Sequence, residues 1–65
     1  MRTYEEAIDL LVEMADTAPK LADAESRAQA CRSLADWTDA VAFCYERTYG
    51  DVVRDVSAAM EARDA

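Results

Sequence analysis

Residues Cys31–Gly50 read CRSLADWTDAVAFCYERTYG, and the fold turns on how that run is parsed. Cys31, Leu34, Ala35, Thr38, Val41, Ala42, Tyr45 and Tyr49 recur three or four residues apart, which gathers them on one broad face of an α-helix. The run holds no proline, and its only glycine is its last residue. Gly50 is suited to the left-handed position just past a helix C-terminus. The stretch therefore predicts a long helix starting at about Leu21 or Ala24 and ending at Tyr49. Ser33, with Asp36 three residues on, offers an internal N-cap that would split it; the unsplit helix is the expectation.

On the N-terminal side, Thr3 and Glu6 have the spacing of a capping box. Ile8, Leu11, Val12 and Ala15 follow as one apolar stripe, so a helix is expected from Tyr4 to Thr17. Pro19 should push Ala18 out of the helical region and end it. On the C-terminal side, Asp51 is the expected N-cap of a third helix with Val52, Val53, Val56, Ala59 and Met60 as its stripe, fraying after Arg63. The expected fold is all-α: three helices at about 4–17, 21–49 and 51–63, a long central one flanked by two shorter ones. A central helix of some 26 residues spans about 39 Å, against about 21 Å for 14 residues. That mismatch, in a chain of 65 residues whose core is small, leads us to expect completion by a homodimer.

Other means of stabilising a small domain fit less well. Cys31 and Cys44 are 13 residues apart, or about 20 Å along one helix, too far for a disulfide; buried or idle thiols are expected, with an intermolecular or redox role as the alternative. Two cysteines and no histidine do not complete a tetrahedral metal site, and no cofactor is expected. The longest apolar run, Ala40–Tyr45, has six residues, whereas a membrane span needs about 20. The opening Met1–Glu6 lacks the basic-then-apolar order of a signal peptide. A cytoplasmic protein is the expectation, and six arginines to one lysine among abundant alanine suit a GC-rich genome.

Catalysis is not expected. There is no histidine to act as a base near neutral pH and no glycine-rich phosphate loop. Both cysteines read as mid-helix, away from an activating helix N-terminus.

Surface features carry the functional reading. Glu5, Asp9, Glu13 and Asp16 lie within about 80° of one another on the first helix, with Glu6 beside them. Residues 1–26 hold seven acids against two bases, net −5, and residues 27–65 hold seven against five, net −2. Like charges four apart weaken a helix, and Asp16 stands at the unfavourable end of the macrodipole. The stripe reads either as a solvated face or as a docking surface for a basic partner, such as a nucleic-acid-binding host protein. The same charge disfavours direct contact with nucleic acid.

Phe43 projects off the main stripe among Asp36, Asp39, Glu46 and Arg47, as an interface anchor within a polar rim or as a residue covered by another helix. Trp37, Val41 and Cys44 form a shoulder of the stripe, with core packing as one reading and an interface contact as the other. Tyr45 and Tyr49 suit the edge of a core or interface. The chain is similar in general type to small accessory proteins of phages and mobile elements. The expectation is a non-enzymatic regulator or inhibitor that docks on a larger host protein through Glu5, Asp9, Glu13, Asp16, Trp37 and Phe43. The alternatives are an acidic DNA mimic and a structural assembly subunit.

Overall fold

The computed structural model describes residues 2–64. Among them the chain forms three α-helices and no strand: α1 (Tyr4–Thr17), α2 (Ala24–Cys44) and α3 (Tyr49–Asp64), with a short 3₁₀ turn over Ala18–Lys20. The all-α, three-helix expectation holds, and α1 has the bounds expected of it.

The capping box at its start is formed. Thr3 Oγ1 accepts from the Glu6 N–H at 3.2 Å, and Glu6 Oε1 accepts from the Thr3 N–H at 3.3 Å. Its end differs in detail. Ala18 stays right-handed (φ −51°, ψ −49°) and donates its N–H to the Met14 carbonyl. Pro19 therefore does not expel Ala18 from the helical region. The proline opens the 3₁₀ turn, where its missing N–H costs no bond. Leu21 then extends, and Asp23 caps α2 by accepting the Ser26 N–H at 3.0 Å. Arg27 fastens this connection by donating to the Leu21 carbonyl at 2.7 Å.

The C-terminal end of α2 corrects the expected 21–49 helix. The helix runs through Ser33 unbroken but stops at Cys44, and Tyr49 belongs to α3. Glu46, not Gly50, takes the left-handed conformation, at φ 55°. Arg47 N–H donates to the Ala42 carbonyl at 2.8 Å and Glu46 N–H to Phe43 at 3.4 Å. Those two bonds are the Schellman closure of a helix. Gly50 lies inside the first turn of α3. The expected cap at Asp51 is also displaced: Thr48 Oγ1 accepts the Asp51 N–H at 3.0 Å, and Asp51 accepts the Thr48 N–H in return. Asp51 is thus the returning member of a second capping box. At the far end α3 remains helical to Asp64, one residue past Arg63, and Ala65 lies outside the described residues.

These ends change the proportions. Helices of 14, 21 and 16 residues span about 21, 32 and 24 Å. The length mismatch behind the expected dimer therefore shrinks from about 18 Å to about 11 Å. α2 returns antiparallel to α1, and α3 returns antiparallel to α2, so α1 and α3 lie side by side and parallel, with Tyr4 beside Asp55 and Asp16 beside Asp64. Leu11, Val12 and Val52 are fully buried where the three meet; Ala7, Ile8, Val41 and Ala42 complete the core. Thr38 is buried among them and donates its hydroxyl to the Leu34 carbonyl at 2.7 Å, which spares it an unpaired polar group.

Candidate functional site

A core this small leaves apolar side chains outside it. Trp37 is 53% and Phe43 87% exposed. Trp37 is not a core residue, and no helix of this chain covers Phe43. Around the axis of α2, Trp37, Cys44, Ala40 and Phe43 fall in that order within about 120°. All four are exposed.

The charged ring expected around Phe43 is incomplete. α2 ends before Glu46 and Arg47, so neither is a helical neighbour of Phe43. The Arg47 guanidinium instead lies 4.3 Å from the centre of the Tyr4 ring. Asp36 and Asp39 remain, one on either side of Phe43, and beyond Asp36 the surface opens through Ala40 toward Trp37.

Trp37, Ala40, Val41 and Cys44 face Ala7, Leu10 and Leu11 across the α1–α2 seam, with Arg2 and Tyr45 closing one end. A second concavity continues from Leu10 past Glu13 and Met14 to Leu21, Ala30 and Ser33. Leu10 borders both, so the two concavities adjoin along the α1–α2 seam. Sequence reading placed Cys44 with Trp37 on a shoulder of the α2 stripe but missed Leu10 and Ala40 as members of a surface. The available signal was the apolar spacing Trp37, Ala40, Cys44, offset from the core stripe, together with Leu10 lying off the stripe of α1.

Glu5, Asp9, Glu13 and Asp16 are all exposed, but packing divides them. Glu13 lines the α1–α2 groove. Glu5 and Asp9 border the α1–α3 seam with Asp55. Asp16 lies farther along that seam with Arg63 and Asp64, and Lys20 reaches it at 3.2 Å, a lysine one turn on that offsets its poor place on the macrodipole. The six expected partner-binding residues thus fall on two sides of α1, with Glu13 and Trp37 together on one groove and Phe43 at its outer edge.

Tyr45, at the closed end of the groove, is held by a second aromatic ring behind it. Tyr4 and Tyr45 meet edge to face, centroids 5.6 Å apart, and Tyr45 donates its hydroxyl to the Arg2 carbonyl at 2.7 Å. Tyr4 donates to Asp55. Burial, then that hydrogen bond and the carboxylate's charge, push its phenol up to about 12. Neither cysteine is buried, which corrects the buried half of the expected buried or idle thiols; both are free and exposed. Cys44 opens on the α1–α2 groove and Cys31 on the α2–α3 seam beside Tyr49 and Val53. Among the described residues no three metal-ligating side chains cluster, and no helix is long and apolar enough to cross a membrane.

The sequence matches no family model, and neither a curated protein nor a solved structure matches it.

Proposed function

We propose that this chain is a non-catalytic interaction module, a small regulator that docks on a larger protein through the exposed face of α2. The observation that carries the reading is the exposure of Trp37 and Phe43 on one sector of that helix. Aromatic side chains of this size left in water are costly unless a partner covers them, and they are the residue types on which binding energy concentrates. The surface area agrees. The chain exposes 4782 Å², where a compact monomer of its size exposes about 4,100 Å². The test is a photo-crosslinking residue placed at Phe43 in the producing cells, with Ser57 on α3 as the control position. A discrete adduct with a foreign protein from position 43, competed by the wild-type chain but not by a Trp37→Ala/Phe43→Ala chain, is the expected result. An adduct only with further copies of this chain would make it an assembly subunit instead.

A second reading is favoured by the exposed carboxylates of Glu5, Asp9, Glu13 and Asp16. Such a surface imitates the charge of a nucleic-acid backbone and would occupy the site of a DNA-binding protein. It requires target affinity that falls steeply with salt and is lost on Glu13→Lys with Asp16→Lys. Affinity indifferent to both would rule it out.

A further inference from the structure

We infer that the α1–α2 groove takes a cationic amphipathic helix from a partner protein, laid along the seam with its apolar side on Leu10, Trp37 and Ala40. The inference rests on the interaction-module reading and specifies its partner.

Shape sets the first requirement. The groove runs on α2 from Ala30 through Ser33, Trp37 and Ala40 to Cys44, residues three or four apart along about 21 Å of helix. A straight trough between two antiparallel helices, lined on this period, accepts a third helix of about four turns with anchors at i, i+4, i+7 and i+11. An extended strand finds no unpaired backbone edge there, because helices satisfy their own.

Charge sets the second. Leu10, on the floor, has Glu6 at i−4 and Glu13 at i+3. On α2 Asp36 precedes Ala40 by four and stands about 40° from it around the axis, with Arg32 one turn before. Of the residues lining the two concavities Glu13 is the one acid and Arg2, at the closed end, the one base; the excess negative charge beside the apolar floor comes from Glu6 and Asp36, one turn from Leu10 and from Ala40. A helix with lysines or arginines flanking its apolar stripe meets these carboxylates with opposite charge. A second copy of this chain, at net −7, would bring like charge against them, which opposes the same groove serving as a two-fold interface.

Trp37 supplies the readout, since it is the chain's one tryptophan. The probe is a tryptophan-free synthetic peptide of about 15 residues with leucines at i, i+4, i+7 and i+11 and lysines elsewhere. Titrated into the full chain, it should shift Trp37 emission to the blue and saturate near one peptide per chain. A peptide with the same leucines and glutamates in place of lysines should leave the emission unchanged. Glu13→Lys with Asp36→Lys should weaken binding about tenfold or more. The same charge change at Glu61→Lys with Asp64→Lys, on the far end of α3, should alter it by less than about twofold, apart from long-range screening. If the lysine pair disturbs helicity, Glu13→Gln with Asp36→Asn replaces it. Absence of a shift, equal weakening by both pairs, or equal binding of the glutamate peptide would each overturn the inference. So would light scattering that shows a dimer from which the peptide displaces nothing. A foreign adduct from position 43 alongside a failed titration leaves the interaction reading standing and removes only this groove. Failure of both removes the reading.

Discussion

Tyr4 donates its phenolic hydroxyl to Asp55 Oδ2 at 2.5 Å, tying the first turn of α1 to the middle of α3 across 51 residues of chain. A hydrogen bond to a carboxylate stabilises more than a neutral one. Tyr4→Phe should therefore cost about 1–2 kcal/mol while leaving the ring beneath Arg47, read by urea unfolding followed by circular dichroism.

The same bond sets an alkaline dependence. The Tyr4 phenol is raised from its ordinary 10.0 to about 12 in the fold. The folded chain thus holds this proton more tightly than the unfolded chain. Its contribution is complete below pH 10 and is lost as pH rises through the interval from 10 to about 12. Wild type should lose stability across that interval more steeply than Tyr4→Phe. Parallel stability curves for the two chains would refute the assignment.

Acid should act on the helix starts. Asp23 is held below its ordinary 3.8 by the Ser26 hydroxyl and N–H, and Asp51 below the same value by Thr48. Depressed carboxyls contribute above the unfolded value and lose that contribution as pH falls through the folded one. Helical signal should therefore decline below pH 3.8. Asp23→Asn, which keeps an acceptor for the cap, should flatten that decline relative to wild type.

Glu46 is an L-residue doing the work of a glycine. Its left-handed backbone, φ 55°, is strained for a residue with a Cβ. Glu46→Gly should stabilise the fold by about 0.5–1 kcal/mol, a rise in Tm of about 2–8 °C. Glu46→Val should lower it, because a β-branched side chain tolerates that conformation least.

Leu11 is fully buried where all three helices meet. Leu11→Ala should cost about 2–5 kcal/mol, which is comparable with the whole stability of a domain this small, and leave the chain largely unfolded at 25 °C. Phe43→Ala should behave oppositely and change stability by less than about 0.5 kcal/mol. A Phe43→Ala chain that melts like Leu11→Ala would return Phe43 to the core and remove the docking face.

What was legible in the sequence was local. The Thr3–Glu6 box and the α1 stripe depend on residues within two turns of each other, and α1 begins and ends where they require. The end of α2 was not legible in the same way. Gly50 is intrinsically the better left-handed residue, but Thr48 and Asp51, three apart, cap α3, which places Gly50 inside its first turn and the left-handed residue earlier, at Glu46. A pattern over 31–50 alone does not weigh one helix's stop against the next one's start. Trp37 shows a second limit. Helical period gives its angle about the axis, while its exposure depends on how far a neighbouring helix reaches that angle; α1 borders Trp37 on one side only and leaves it 53% exposed. The acidic stripe was legible as a ridge, and its division between two seams followed from packing.

The two thiols sit on opposite flanks of α2, Cys44 on one seam and Cys31 on the other. Each molecule therefore carries a footprinting pair of its own. The ratio of their alkylation rates reports which flank is covered, free of protein concentration and reagent decay, because the second thiol is the internal clock. Shielding of Cys44 alone reports a ligand in the α1–α2 groove, and shielding of Cys31 alone reports one against Tyr49 and Val53.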